Sequence, residues 1–225
     1  MGITSYLPPV PSIALGTPDI SLFEMVGAYS TFVNKGIYVK PVMISRIEDK
    51  NGRAIYEVVP ETQDVLSEEA SYATVNLMQG VTKAGSGARL RHAGLEKTNY
   101  IYEKVVTGYP YIFENPIAGK TGTTQNQSDG WFMGMVPNLA TGVWVGGEDR
   151  AIHFENIGYG QGATMALPIW ANYMRYLYEN PVLEISQEDF LPPEDLNIPI
   201  DCEGLVDLKS KEKPKLKTDL EALGF

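Results

Sequence analysis

A chain of 225 residues with a 44% apolar share can bury a sizeable core, as one large domain or two small ones, which excludes a disordered protein. The formal net charge of -10 excludes nucleic acid or an anionic membrane surface as the main partner, so any anion site must be local. One cysteine, Cys202, permits no internal disulfide, and His92 and His153 supply no ligand cluster, so neither a metal nor a cofactor is expected.

Residues 1–18 are proline-rich and read as an extended lead-in. Their start lacks the basic residues and apolar core of a signal peptide. The charge-free run 130–147 is broken by Pro137, Asn138 and glycines, so a hairpin explains it better than a membrane span. The chain is then either cytosolic or a piece of a longer exported one.

Residues 19–35 predict a helix: Ser21 caps it, Glu24 completes a capping box, and Gly36 stops it. Leu22, Met25, Val26, Tyr29 and Val33 fall at helical spacing and read as a packing face. Residues 37–47 and 53–59 are rich in branched and aromatic side chains, and the Asp49-Lys50-Asn51-Gly52 turn between them predicts a hairpin. Ser67 caps a second helix with Glu68 and Glu69 in its first turn; Tyr72, Val75, Leu77, Met78 and Val81 are its packing candidates.

Gly85-Ser86-Gly87-Ala88-Arg89-Leu90-Arg91 lacks the Lys-Ser/Thr ending of a phosphate loop and follows a helix, so it reads as a helix-ending turn with Arg89 and Arg91 on a solvated face. Residues 97–115 carry Tyr100, Tyr102, Tyr109 and Tyr111 with no clean period. They read either as a loop lining a groove or as buried aromatic packing.

Ile117-Ala118-Gly119-Lys120-Thr121-Gly122-Thr123-Thr124 is the stretch around which the chain is organised. A lysine, small neighbours and a run of hydroxyls suit an edge strand that anchors an anion: the ammonium attracts a carboxylate, the hydroxyls orient it, and Gly122 admits ligand backbone. Residues 131–137 and 142–147, joined by a short turn, continue it as an antiparallel meander over 117–147. Tyr159-Gly160-Gln161-Gly162 reads as a flexible joint before a helix over 164–179, with Pro168 near its start and Leu167, Trp170, Met174 and Leu177 as its packing stripe. From Asn180 prolines and charge dominate, predicting a loosely ordered extension over 180–225.

Lys-Thr-Gly alone arises by chance in about a few per cent of chains this long, from average residue usage, so its context must carry the argument. Lys120-Thr121-Gly122-Thr123-Thr124, Asp129-Gly130-Trp131-Phe132, and Gly160-Gln161-Gly162 leading into Ala166-Leu167-Pro168-Ile169-Trp170 occur in the order found in penicillin-binding proteins. Upstream, residues 11–17 and 24–36 resemble the segment that follows Ser-x-Asn in class A, bifunctional members. The chain therefore resembles the C-terminal half of their transpeptidase domain over residues 1–179.

The resemblance implies an α+β fold, an antiparallel sheet flanked by helices, as a partial penicillin-binding/beta-lactamase-like transpeptidase fold. It also implies acyl transfer: a serine attacks the D-Ala-D-Ala terminus of a peptidoglycan stem peptide, and beta-lactams acylate the same serine. Lys120, Thr121, Thr123 and Thr124 would then bind the carboxylate, Gly122 would belong to the same strand motif, and the Thr123 amide would supply half the oxyanion hole. The location implied is the periplasmic side of the bacterial inner membrane, as part of a longer chain.

The serine is not found. Ser210-Lys211-Glu212-Lys213 matches Ser-x-x-Lys but follows the lysine strand, in a polar tail cut by Pro214; no Ser-x-Asn occurs, and Tyr178-Glu179-Asn180 mimics its variant in the wrong order. Losing an oxyanion donor costs about a hundred- to a thousand-fold in rate, whereas losing the nucleophile costs on the order of a million-fold. The chain alone is expected to be inactive, and the missing N-terminal half of the domain is its expected partner. A non-catalytic D-Ala-D-Ala or penicillin-binding module and a beta-lactamase-type hydrolase or sensor fragment are the alternatives.

Overall fold

The computed structural model describes residues 1–91 and 111–200, which excludes Tyr100, Tyr102, Tyr109 and the Ser210-Lys213 match. Met1–Pro193 forms one compact unit, and Glu194 begins another.

A first helix, α1 (Leu22–Val33), starts where the sequence asks: the Ser21 hydroxyl accepts the Glu24 amide and the Glu24 carboxylate accepts the Ser21 amide. The helix ends as Lys35 and Gly36 turn left-handed. Glu24 has a second role, because its carboxylate accepts the amides and hydroxyls of Thr4 and Ser5 at 2.6–2.8 Å and ties down the N-terminal lead-in.

The expected hairpin is half right. Strand β1 (Ile37–Val39) pairs antiparallel with β4 (Thr62–Asp64), while β2 (Arg46–Glu48) pairs with β3 (Ala54–Glu57) across the Asp49–Gly52 turn. Residues 37–47 therefore make two strands with different partners. The Asp49 carboxylate closes the turn by accepting the Asn51 and Arg53 amides. Helix α2 (Glu68–Lys83) follows, capped by the Ser67 hydroxyl on the Ala70 amide. Of its packing candidates Val75 is buried, but Leu77 is 76% exposed; Ser71, Gln79 and Thr82 line the inner face instead. Two of these polar residues have partners there, Thr82 donating to Ile117 O at 2.6 Å and Gln79 to Asp189, whereas the buried Ser71 hydroxyl has none among the described residues.

The centre of the molecule is the sheet β5 (Ala118–Thr123), β6 (Asp129–Val136) and β7 (Leu139–Gly146), in that spatial order, antiparallel throughout, with Pro137 and Asn138 as the second turn. Six of the eight residues in β6 are buried, because helices cover both faces of the sheet. On one face α5 (Leu167–Tyr178), with Pro168 in its first turn, inserts Trp170, Met174 and Leu177 against Phe132, Val136, Leu90 and Phe113. The Trp170 indole N–H reaches Thr141 Oγ1. On the other, α1 and α2 bring Val75, with Tyr29, Phe32 and Tyr72 around it, against Ala118 and Met135. Helices on both faces of an antiparallel sheet make this the expected α+β architecture.

Two further expectations change. The 159–162 joint is a pair of short helices, α3 (Ile157–Gly160) and α4 (Gly162–Met165), wedged against the sheet. The stretch after Asn180 does not leave the body at once: Asn138 clamps Glu184 O and the Ser186 amide, Gln79 donates to Asp189, and Phe190 is buried beside Val75.

Candidate functional site

Strand β5 is an edge strand, pairing with β6 alone among the described residues, and its last four residues are exposed or half-buried. Lys120 is exposed; its ammonium folds back to donate to Thr121 O at 2.7 Å. An exposed cation held over an open strand edge is available to an incoming anion.

Each hydroxyl of the motif has a partner. Thr121 Oγ1 lies 2.6 Å from Ser86 Oγ, on the turn that ends α2. Thr123 Oγ1 accepts the Gly162 amide at 3.0 Å and retains its own proton for a ligand. Thr124 Oγ1 donates to Asp129 Oδ2 and accepts the Asp129 amide, both at 2.9 Å, while Asp129 Oδ1 accepts the Trp144 indole N–H at 2.7 Å. Thr124 is thus committed to the loop joining β5 to β6, and its hydroxyl is the least available to a ligand. Gly122 lies against Trp131, whose Cβ would sit 3.0 Å from an added side chain.

Gly162 is required where it stands. A Cβ there would come 2.3 Å from Gly122 O and 2.4 Å from Trp131 O, so only glycine lets α4 approach the lysine strand closely enough to reach Thr123. The sequence shows Gly160-Gln161-Gly162 as a motif, but not what it touches.

Arg89 and Arg91 correct the solvated-face expectation. Arg91 donates to Phe113 O, Asn115 O and Thr82 Oγ1, and Arg89 to Ala163 O and Thr164 Oγ1. Desolvation depresses the Arg91 pKa below its ordinary value, and burial raises that of Tyr178 nearby. Arg91 thus ties the end of α2 to the residues just before β5, and Arg89 ties the same turn to α4. Residue type alone does not separate such struts from surface charge.

The residues missed by sequence reasoning are Ser86 and Trp144 as neighbours of the motif. Ser86 and Trp144 meet it only through pairing across 35 and 15 residues, a distance no local pattern reports. Among the described residues no group of three or more His, Cys, Asp or Glu could hold a metal ion. Nor is any helix there long and apolar enough to cross a membrane.

The site sits on a fold with known relatives. The family described as penicillin binding protein transpeptidase domain matches residues 10–153. Penicillin-binding protein 1A of Aquifex aeolicus (strain VF5) is 32% identical over 227 residues, covering 96% of this chain and 28% of that protein. Among solved structures, PonA1 of Mycobacterium tuberculosis superposes with a TM-score of 0.62 at 22% identity, covering 85% of this chain and 46% of that one. The same protein in complex with penicillin V gives a TM-score of 0.59 at 22% identity, over 88% of this chain and 53% of that one. This chain spans under a third of the Aquifex protein and about half of each PonA1 chain. With the motif order, the edge strand and the two-sided helical cover all in agreement, the chain belongs to the penicillin binding protein transpeptidase domain family.

Proposed function

We propose that this chain carries the substrate-anchoring half of a peptidoglycan D,D-transpeptidase site and no nucleophile of its own. The observation that carries this reading is the exposed Lys120 ammonium on an open edge strand, beside a Thr123 hydroxyl whose acceptor role is filled by Gly162 and whose proton is left to donate. A stem-peptide carboxylate, or the carboxylate of a beta-lactam, would lie along β5 with Lys120 neutralising it and Thr121 and Thr123 orienting it. The Thr123 amide would donate to the oxyanion of the acyl group being attacked.

The covalent step needs a serine and a proton acceptor, and no Ser-x-x-Lys precedes the lysine strand in this sequence. Its counterpart would come from the N-terminal half of the domain, with the assembled enzyme working on the periplasmic side of the inner membrane. Residues 1–179 would contribute to that catalytic domain and 180–225 would extend from it.

The test is a fluorescent penicillin offered to the purified chain, read on a denaturing gel. No covalent label is expected. A stoichiometric adduct on any serine of this chain would overturn the reading.

A further inference from the structure

Ser86 stands next to the proposed anchor without any part in the motif that defines it. It follows α2 in the turn Gly85-Ser86-Gly87, and that turn is built tightly. The Gly85 amide bonds to Gly80 O and Val81 O and the Gly87 amide to Val81 O, each at 3.0–3.1 Å, and a Cβ on Gly85 would lie 2.8 Å from Val81 Cα. The helix end is in turn fastened to the start of β5 by the Thr82 hydroxyl on Ile117 O. Ser86 is therefore a residue in a fixed position, exposed to solvent, with Oγ 2.6 Å from Thr121 Oγ1.

Two hydroxyls joined by one hydrogen bond have one proton to spare. If Ser86 donates to Thr121, the Thr121 proton is free; if Thr121 donates to Ser86, the Ser86 proton is free. In either arrangement the pair presents a single donor, polarised by the bond behind it. The Lys120 ammonium, held at Thr121 O, concentrates positive charge on the same residue.

We infer that Ser86 is a further residue of the carboxylate-anchoring site, forming with Thr121 a hydroxyl pair that donates to the C-terminal carboxylate of a peptide beside Lys120. This rests on the anchoring role proposed for β5, and the experiment separates the two.

The full chain is titrated with acetylated Lys-D-Ala-D-Ala, and with the same peptide amidated at its C-terminus, while amide and methyl shifts are followed by NMR. The unmodified chain is expected to bind the free carboxylate and not the amide. Ser86→Ala is expected to weaken carboxylate binding about ten- to a hundredfold, the size of one hydrogen bond to a charged group. Ser86→Thr, which restores the hydroxyl, is expected to recover most of it, with thermal midpoints unchanged in both variants. Carboxylate binding that Ser86→Ala leaves intact would overturn this inference and leave the anchor standing. No carboxylate-dependent binding by the unmodified chain would overturn both. Equal losses in Ser86→Ala and Ser86→Thr, or a lowered midpoint in Ser86→Ala, would reduce Ser86 to a structural residue.

Discussion

At Thr123 one hydroxyl serves two ends of the fold, accepting the Gly162 amide from α4 while keeping a proton to donate from β5. Gly162→Ala forces backbone atoms apart at 2.3 and 2.4 Å, so it is expected to destabilise the chain by about 1–3 kcal/mol, the usual cost of overpacking. It should also shift the Thr123 amide resonance; a thermal midpoint and amide shifts identical to the parent would contradict this. Lys120→Ala, in contrast, removes an exposed side chain and is expected to leave stability within about 0.5 kcal/mol while abolishing carboxylate-dependent binding. Glu24 supplies a pH test. Hydrogen bonds from the Ser5 and Thr4 hydroxyls and amides hold its pKa well below the ordinary glutamate value of 4.5. A carboxyl with a depressed folded pKa contributes stability that is present above its unfolded pKa and lost as pH falls through the folded one. Protection of the Thr4 and Ser5 amides, taken relative to the intrinsic exchange rate at each pH, should therefore persist as pH drops through 4.5, and Glu24→Gln should lower it at every pH. Protection that is lost at the ordinary carboxylate pKa would show that the lead-in is not held this way.

At the scale of elements, local signals were legible and long-range pairings were not. Ser21 with Glu24, Ser67, the Asp49–Gly52 turn and Pro168 each act on neighbours a few residues away, and each sits where the sequence placed it. The meander was readable for the same reason, its strands being sequential and its second turn two residues long. The pairing of β1 with β4 spans a whole hairpin, so nothing within either strand announces it. Leu77, expected to pack, is exposed, while Thr82 is buried because its hydroxyl finds a carbonyl across the helix–strand contact, which makes it cheaper to bury there than periodicity implies. Within the site, the anchoring strand itself was readable from Lys120-Thr121-Gly122-Thr123, with Asp129 beside it, whereas Ser86 and Trp144 acquire meaning only when pairing brings them to it. The most demanding element contact is α5 on the sheet: Trp170 is fully buried against Phe132 with ring centroids 5.1 Å apart. Trp170→Ala is expected to cost about 3–5 kcal/mol in urea unfolding. A loss under about 1 kcal/mol would mean that α5 does not hold the sheet.

For the whole molecule, the sheet has two open edges among its described residues, and the one at β7 carries no charge or proline across eight residues. Trp144 there is 40% exposed. Unprotected edges of this kind pair with other chains. Sedimentation at increasing concentration should show self-association, and a clean monomer at high concentration would contradict it. Such a surface is what the proposed reading expects of a chain whose complementary segment would cover it. On the proposed reading, Lys120, Thr121 and Thr123 would form an anchor in a sequence with no Ser-x-x-Lys ahead of the lysine strand.

The most direct test of that reading is penicillin labelling with and without the complementary segment. Fluorescent penicillin is offered to this chain alone, and to this chain co-expressed with the upstream part of a relative's transpeptidase domain that bears Ser-x-x-Lys and Ser-x-Asn. Mass mapping then locates any adduct. The account predicts no adduct on this chain under either condition, an adduct on the upstream serine when both are present, and its loss on Lys120→Ala. An adduct mapped to a serine of this chain would contradict it.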